Sequence, residues 1–125
     1  GEFKRLVGDW TDAWHKLKLQ TEFSKKYKVV IVLKGAHTAI STPQGKVYFN
    51  STGNAGMAKG GSGDVLTGVI VSLLAQKYAP AEAAILGVYI HGLAGDYAAE
   101  ALGVTGMNAG DIVRYLPKAF TTLEV

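Results

Sequence analysis

The apolar pattern of this chain changes period along its length. Leu6, Trp10, Trp14, Leu17 and Leu19 recur at roughly helical spacing, and the segment from Thr11 to Tyr27 is rich in Lys and Glu. This predicts an amphipathic helix with those apolar residues on its inner face. Lys25, Lys26 and Lys28 sit near its end, where cations suit the helix dipole. Next comes Val29-Val30-Ile31-Val32-Leu33, a continuous apolar run rich in β-branched residues. Such a run suits a strand buried on both faces, as in a parallel sheet. A helix followed by a buried strand predicts an α/β layer protein. Thr38 to Ser41 and Lys46 to Asn50 read as two strands joined by the turn sequence Thr42-Pro43-Gln44-Gly45.

Beyond the strands the period becomes helical. One helix is predicted over Val65 to Lys77. A second starts at Pro80, a residue suited to a first helical turn, and runs to about Leu102. A third spans Asn108 to Leu116, with Asn108 as cap and Pro117 as stop. The second helix contains Gly87, Gly92 and Gly95. Internal glycines cost helix stability, so close packing against a neighbour is expected to offset them. The chain shows no internal repeat, low-complexity tract or linker.

The segment Gly60-Gly61-Ser62-Gly63-Asp64 leads directly into the first of these helices. Its backbone N–H groups are uncovered by side chains, and at a helix N-terminus they add to the dipole to make an anion site suited to phosphate. Asp64 would repel that phosphate unless it has a separate task, such as taking a proton from a hydroxyl that attacks or receives it. A plain Gly-rich turn with Asp64 as a favourable N-terminal carboxylate fits the same residues. The loop is not a Walker-type loop, because Lys59 precedes the glycines. It is not a dinucleotide fingerprint either, because no glycine stands three residues after Gly63. Asp64 occupies the position where a nucleophile elbow needs glycine.

Composition narrows the choice. The 125 residues fit one domain or part of one, and 48% are hydrophobic, enough for a core. The net charge of +3 suits an anionic small ligand, and no basic run interleaves with aromatics, so nucleic-acid binding is not indicated. The absence of cysteine excludes disulfides and thiolate metal sites and agrees with a cytoplasmic protein. The longest apolar run, Val65 to Ala75, is too short to span a bilayer, so no membrane partner is expected. The chain opens at Gly1-Glu2-Phe3 with neither an initiator Met nor an N-terminal strand, as if cut from something longer.

A second candidate site is Lys34-Gly35-Ala36-His37-Thr38, at the C-terminal end of the predicted buried strand, where open α/β sheets bind ligands. Lys34 can reach a phosphate and Thr38 can hydrogen-bond one; a strand-ending turn with a solvent-facing lysine fits equally. His15, His37 and His91 lack metal-ligand spacing, so no protein metal ligands are assigned. His91 reads as a satisfied interior histidine, and Asp96 with Glu100 as a solvated helix face.

The run Asn54-Ala55-Gly56-Met57-Ala58-Lys59-Gly60-Gly61-Ser62-Gly63-Asp64-Val65-Leu66-Thr67-Gly68 resembles the signature of the ADP/ATP-dependent NAD(P)H-hydrate dehydratases. These are carbohydrate-kinase-like repair enzymes of the ribokinase-like superfamily. Gly1-Glu2-Phe3-Lys4-Arg5-Leu6 is similar to the end of that family's Pro-His-x-Gly-Glu-Phe-x-Arg-Leu segment. Val32 to Thr38 is similar to its nucleotide-binding strand end, and Gly106 to Phe120 to its last helix. The Gly-Gly-Ser-Gly-Asp motif alone would indicate only the wider superfamily; the extended segment and Lys-Gly-Ala-His-Thr are specific.

The resemblance implies an α/β fold, a ribokinase-like three-layer α/β/α sandwich of which residues 1–125 form the C-terminal portion of a single nucleotide-binding domain. It implies dehydration of hydrated nicotinamide cofactor, NADHX or NADPHX, to NADH or NADPH, by phosphorylation of the hydroxyl and elimination of phosphate. ADP or ATP would be the co-substrate, accompanied by Mg2+. Asp64 would contact the substrate and act as base. Gly61, Ser62 and Gly63 would form the anion hole. Lys34, Gly35, Ala36, His37 and Thr38, with Gly63, would hold the nucleotide. Two positions depart from the family pattern: Lys59 stands where many relatives have Thr, and Ala55 where Pro is expected. Another ribokinase-like small-molecule kinase and a non-catalytic nucleotide-binding fragment are the alternatives. The Ala/Gly-rich helix and its aromatics suit a homo-oligomer, and the missing half is expected to leave the isolated chain inactive.

Overall fold

The computed structural model describes residues 2–35 and 37–124. The elements run α1 (Glu2–Val7), α2 (Ala13–Tyr27), β1 (Ile31–Leu33), β2 (Ala39–Ser41), β3 (Val47–Phe49), a short 3-10 turn (Ala55–Met57), α3 (Ser62–Ala75), α4 (Pro80–Leu102) and α5 (Ala109–Leu123). The chain divides into two compact units, one ending at Phe49 and one beginning at Asn50.

In the first unit the predicted helical face does not survive. Gly8 takes φ +86°, a conformation that glycine tolerates without a Cβ penalty, and ends α1. Asp12 then caps α2, its carboxylate accepting the His15 N–H at 2.8 Å. Trp14 is 81% exposed, while the buried positions of α2 are Gln20 and Ser24. These polar groups are buried because they are paired. Gln20 Nε2 donates to the carbonyls of Ile31 at 3.3 Å and Ala39 at 3.1 Å, and the hydroxyls of Ser24 and Ser41 lie 2.6 Å apart. Gln20 thereby links the two strands across which it lies.

The sheet is antiparallel, in the order β1-β2-β3, with Val32 opposite Ile40 and Ile40 opposite Tyr48. The parallel arrangement expected for residues 29–33 is therefore not seen among these strands, and β1 is half-buried rather than enclosed. The connection 34–38 is far shorter than the dozen or more residues of a parallel crossover, so neighbouring strands joined by it must run in opposite directions. The buried strand is β2, all three of whose residues are buried. The 42–45 turn forms as expected: Gly45, at φ +84°, donates its N–H to Thr42 O at 2.9 Å.

The second unit is helical. Val69 and Leu73 of α3, Ala83, Ile90, Ala94 and Ala98 of α4, Ile112 and Ala119 of α5, and Met107 form its core. The predicted bounds of α4 hold, and its glycines are explained by close approach. A Cβ at Gly92 would stand 2.1 Å from Thr52 Oγ1, and one at Gly95 would stand 2.2 Å from Met57 Sδ. Helix α3 starts at Ser62 rather than Val65, so the glycine stretch itself supplies its first turn.

Helix α5 overturns the expected stop at Pro117, which lies inside it. An internal proline removes one backbone hydrogen bond. Here Ala119 is fully buried and Phe120 packs on the core, so the turns beyond Pro117 stay anchored. Thr121 Oγ1 also donates to Pro117 O at 2.9 Å, and the hydroxyls of Tyr97 and Thr122 lie 2.7 Å apart. Among the described residues no helix is long and apolar enough to cross a membrane.

Candidate active site

The glycine loop lies in the second unit, at the start of α3. Gly61 is the N-cap, at φ +89° and ψ −16°, a left-handed conformation that favours glycine. The position is also tight: a Cβ there would stand 3.2 Å from Ala109 Cβ at the start of α5. Nothing lies within 4 Å of a Cβ placed at Gly60, so that side of the loop is open.

The amides divide by use. Ser62 N–H donates back to Lys59 O at 3.2 Å, and Val65 N–H closes the first helical bond on Gly61 O at 3.1 Å. The amides of Gly63 and Asp64 lie between them in the first turn, where no helical carbonyl stands four residues earlier. Of the three expected anion-hole residues, Ser62 thus has its amide engaged within the loop. Asp64 is exposed in the first turn, beside these donors.

The loop is held from three directions. Beneath it, His91 of α4 places Nε2 3.0 Å from Ser62 O and 3.4 Å from Ser62 Oγ, and both residues are buried. This bears out His91 as a satisfied interior histidine. On the upstream side, Asp96 accepts the N–H of Gly53 at 3.0 Å and Nδ2 of Asn54 at 2.9 Å. Asn54 Nδ2 also donates to Gly95 O at 3.1 Å, and its Oδ1 accepts Gly56 N–H at 2.9 Å. The solvated-face reading of Asp96 is therefore corrected: its carboxylate anchors the segment that enters the loop. A signal was present, since Gly92 and Gly95 mark the approach of another backbone. A carboxylate one residue further on is placed to take that backbone's amides. On the third side, Lys59 Nζ donates to Thr105 O at 2.7 Å and to Met107 O.

The other candidate residues lie in the first unit, on the β1–β2 connection. Lys34, Gly35 and His37 are exposed and Thr38 is half-buried; Ala36 lies outside the described residues. The connection follows the C-terminal end of β1, as expected. Among the described residues, no group of three or more His, Cys, Asp or Glu side chains is placed to hold a metal ion.

Comparison with known proteins gives this geometry a family. The family model described as NAD(P)H-hydrate dehydratase matches residues 1–118. The bifunctional NAD(P)H-hydrate repair enzyme Nnr of Moorella thermoacetica is 45% identical over 126 residues, covering 99% of this chain and 24% of that enzyme. The ADP-dependent (S)-NAD(P)H-hydrate dehydratase of Bacillus subtilis is 33% identical, over 99% of this chain and 46% of its own length. The crystal structure of the Bacillus subtilis ADP/ATP-dependent enzyme co-crystallized with ATP/Mg2+ superposes with a TM-score of 0.88 at 32% identity, covering 99% of this chain and 46% of that one. The chain thus spans about a quarter of the bifunctional relative and just under half of the Bacillus enzyme. The expected α/β, carbohydrate-kinase-like fold class holds. With the family model matched over nearly its whole length and the signature loop formed at the head of α3, this chain belongs to the NAD(P)H-hydrate dehydratase family.

Proposed function

We propose that this chain supplies the phosphoryl-transfer centre for ADP- or ATP-dependent dehydration of NADHX and NADPHX. The observation that carries the reading is Asp64, exposed in the first turn of α3 directly after the glycine loop. In the first step the hydrate's hydroxyl oxygen attacks the terminal phosphorus of the nucleotide. The bond to the bridging oxygen breaks, AMP or ADP leaves, and the hydroxyl proton passes to Asp64. In the second step phosphate departs with the C–O electron pair, and loss of a proton from the adjacent carbon forms the double bond.

The transferring group gathers negative charge on its outer oxygens, and fixed donors stabilise it without reorganising. The amides of Gly61 and Gly63 are suited to this. Asp64's own amide is suited to be the third donor, because Ser62's is turned onto Lys59 O. Lys34 to Thr38 remain the proposed nucleotide contacts. Mg2+ ordinarily binds through one or two carboxylates and substrate phosphates and keeps several waters. With no such cage among the described residues, the site fits an ion that would arrive with the nucleotide and neutralise its phosphate charge.

The test is fluorescence recovery of NADH from the hydrate by a complete enzyme that carries this chain, with ADP or ATP supplied, alongside release of phosphate. Nucleotide-dependent recovery with one phosphate per NADH is the expected result. A phosphorylated alcohol that accumulates without NADH would instead indicate a small-molecule kinase.

A further inference from the structure

We infer that Lys59 is a positioning residue whose ammonium ties the phosphate loop to the α4–α5 connection. The inference rests on reading the loop as a phosphate site. By position, a lysine immediately before Gly60-Gly61-Ser62-Gly63 invites the role of a direct phosphate ligand. The structure places its charge elsewhere. Nζ donates to two backbone carbonyls of the α4–α5 connection, Thr105 O at 2.7 Å and Met107 O. An ammonium has three donors and no acceptor, so two of the three are spent on this contact.

Both ends of the tether are themselves fixed. On the loop side, Lys59 O accepts Ser62 N–H at 3.2 Å, which joins the lysine backbone to the first residue of α3. On the far side, Met107 is fully buried, and Asn108 caps α5 through reciprocal bonds with Asp111 at 2.9 and 3.1 Å. The two segments also approach closely at their glycines. A Cβ at Gly56 would stand 2.6 Å from Val104 O and from Met107 Sδ, and one at Gly61 would stand 3.2 Å from Ala109 Cβ. Lys59 is the charged link in this seam. Charge-assisted hydrogen bonds are stronger than neutral ones, and two from one head group fix distance and direction together. Shifting the seam would displace Gly61 and the amides that follow it, and a displacement of about an ångström at an anion hole carries a large penalty.

The test compares Lys59→Met and Lys59→Arg with the parent protein by hydrogen exchange without ligand and by titration with ADP. Lys59 is exposed as a residue, so loss of the fold is not the expected consequence. Lys59→Met should speed exchange at residues 60–64 and at 104–109 and weaken ADP binding by roughly tenfold, the scale of a lost hydrogen bond to a charged group. Lys59→Arg, which keeps the charge and several donors, should restore both to within about threefold of the parent. Weaker ADP binding with unchanged exchange at 104–109 would overturn the proposal and make Lys59 a direct phosphate ligand. No change in either measurement, or failure of Lys59→Arg to restore them, would also overturn it. If the parent protein bound no ADP, the phosphate-site reading would fall; the exchange comparison in unliganded protein would still decide the tether, unchanged exchange sinking it.

Discussion

The two candidate loops differ in how firmly the chain holds them. The glycine loop sits on a helical unit whose core includes Leu73, Ile90, Met107 and Ile112; side chains of α4 grip it, and its own Lys59 reaches backbone carbonyls of the α4–α5 connection. The 34–38 loop joins two three-residue strands, and most of its described residues are exposed. Transition-state stabilisation needs donors that do not move as charge develops, so it belongs on the held loop. Nucleotide capture tolerates a loop that adjusts when the ligand arrives. The proposed division of labour between Asp64 and Lys34 rests on that contrast, and substitutions in each loop can break it.

The largest effect is expected at Asp64. Asp64→Asn keeps the size and much of the polarity but removes the proposed proton acceptor. In a complete enzyme that carries this chain, turnover should fall by at least ~10², with ADP affinity little changed, since general-base contributions are of that order or more. Steady-state turnover of the hydrate and calorimetric titration of ADP measure the two halves of the statement. Near-parental turnover would end the assignment. The support beneath the loop offers the next test. A methyl at Gly92 meets Thr52 Oγ1 at 2.1 Å and Thr52 backbone carbon at 2.8 Å, so neither element can yield easily. Gly92→Ala should destabilise the protein by about 1–3 kcal/mol, the usual range for overpacking. Denaturant unfolding followed by helical circular dichroism reads it. An unchanged midpoint would show that Thr52 moves freely and that the loop's support is softer than described.

How far the sequence foretold these loops follows the same contrast. The glycine loop, α4 and the hairpin turn were legible because local chemistry decides them: uncovered amides, proline at a helix start, a turn tetrapeptide. The internal glycines of α4 announced a close neighbour, although only the fold shows that Thr52 and Met57 are the neighbours. What was misread depends on partners distant in sequence. The run 29–33 looks like a parallel strand, but its short connection to β2 sets it antiparallel to that neighbour. Leu6, Trp10 and Trp14 looked like one buried face, but Gly8 breaks the helix and paired Gln20 and Ser24 take the interior. Pro117 looked like a stop, but Ala119 and Phe120 give the helix a reason to continue. The carbonyl partners of Lys59 lie 46 and 48 residues away, and no local pattern predicts them.

A smaller effect tests the exposed loop. Lys34→Ala should weaken ADP binding by roughly 1–3 kcal/mol if the ammonium makes a charge-assisted bond to phosphate. Turnover at saturating nucleotide should stay close to the parent's, because the loss is in ground-state binding. Titration with ADP and a kcat against KM comparison separate these outcomes. An unchanged dissociation constant would return Lys34 to solvent. A fall in kcat at saturation would mean that this loop shares in the chemistry, and the contrast between the two loops would fail.

The smallest effects are expected at the helix caps, and they compare the two units directly. Asp12 caps α2 by accepting His15 N–H at 2.8 Å, and Asn108 caps α5 by accepting Asp111 N–H at 3.1 Å. Replacing either by Ala should cost about 1 kcal/mol, the usual value of an N-cap side chain. Their reporters differ. Both tryptophans lie in the first unit, and Trp10 is flanked by the Lys4 and Lys16 ammonium groups at 5.0 and 5.1 Å from its ring. Tryptophan fluorescence therefore follows Asp12→Ala, and helical circular dichroism follows Asn108→Ala. The functional outcome should differ as well. Asn108 stands next to Met107, whose carbonyl Lys59 holds, so loosening the start of α5 should reach the phosphate loop and weaken ADP binding by a few-fold. Asp12→Ala should leave ADP affinity within about twofold of the parent, as a surface cap remote in sequence from either loop. Equal losses of affinity from the two variants would show that cap loss acts through general stability rather than through the seam at Lys59.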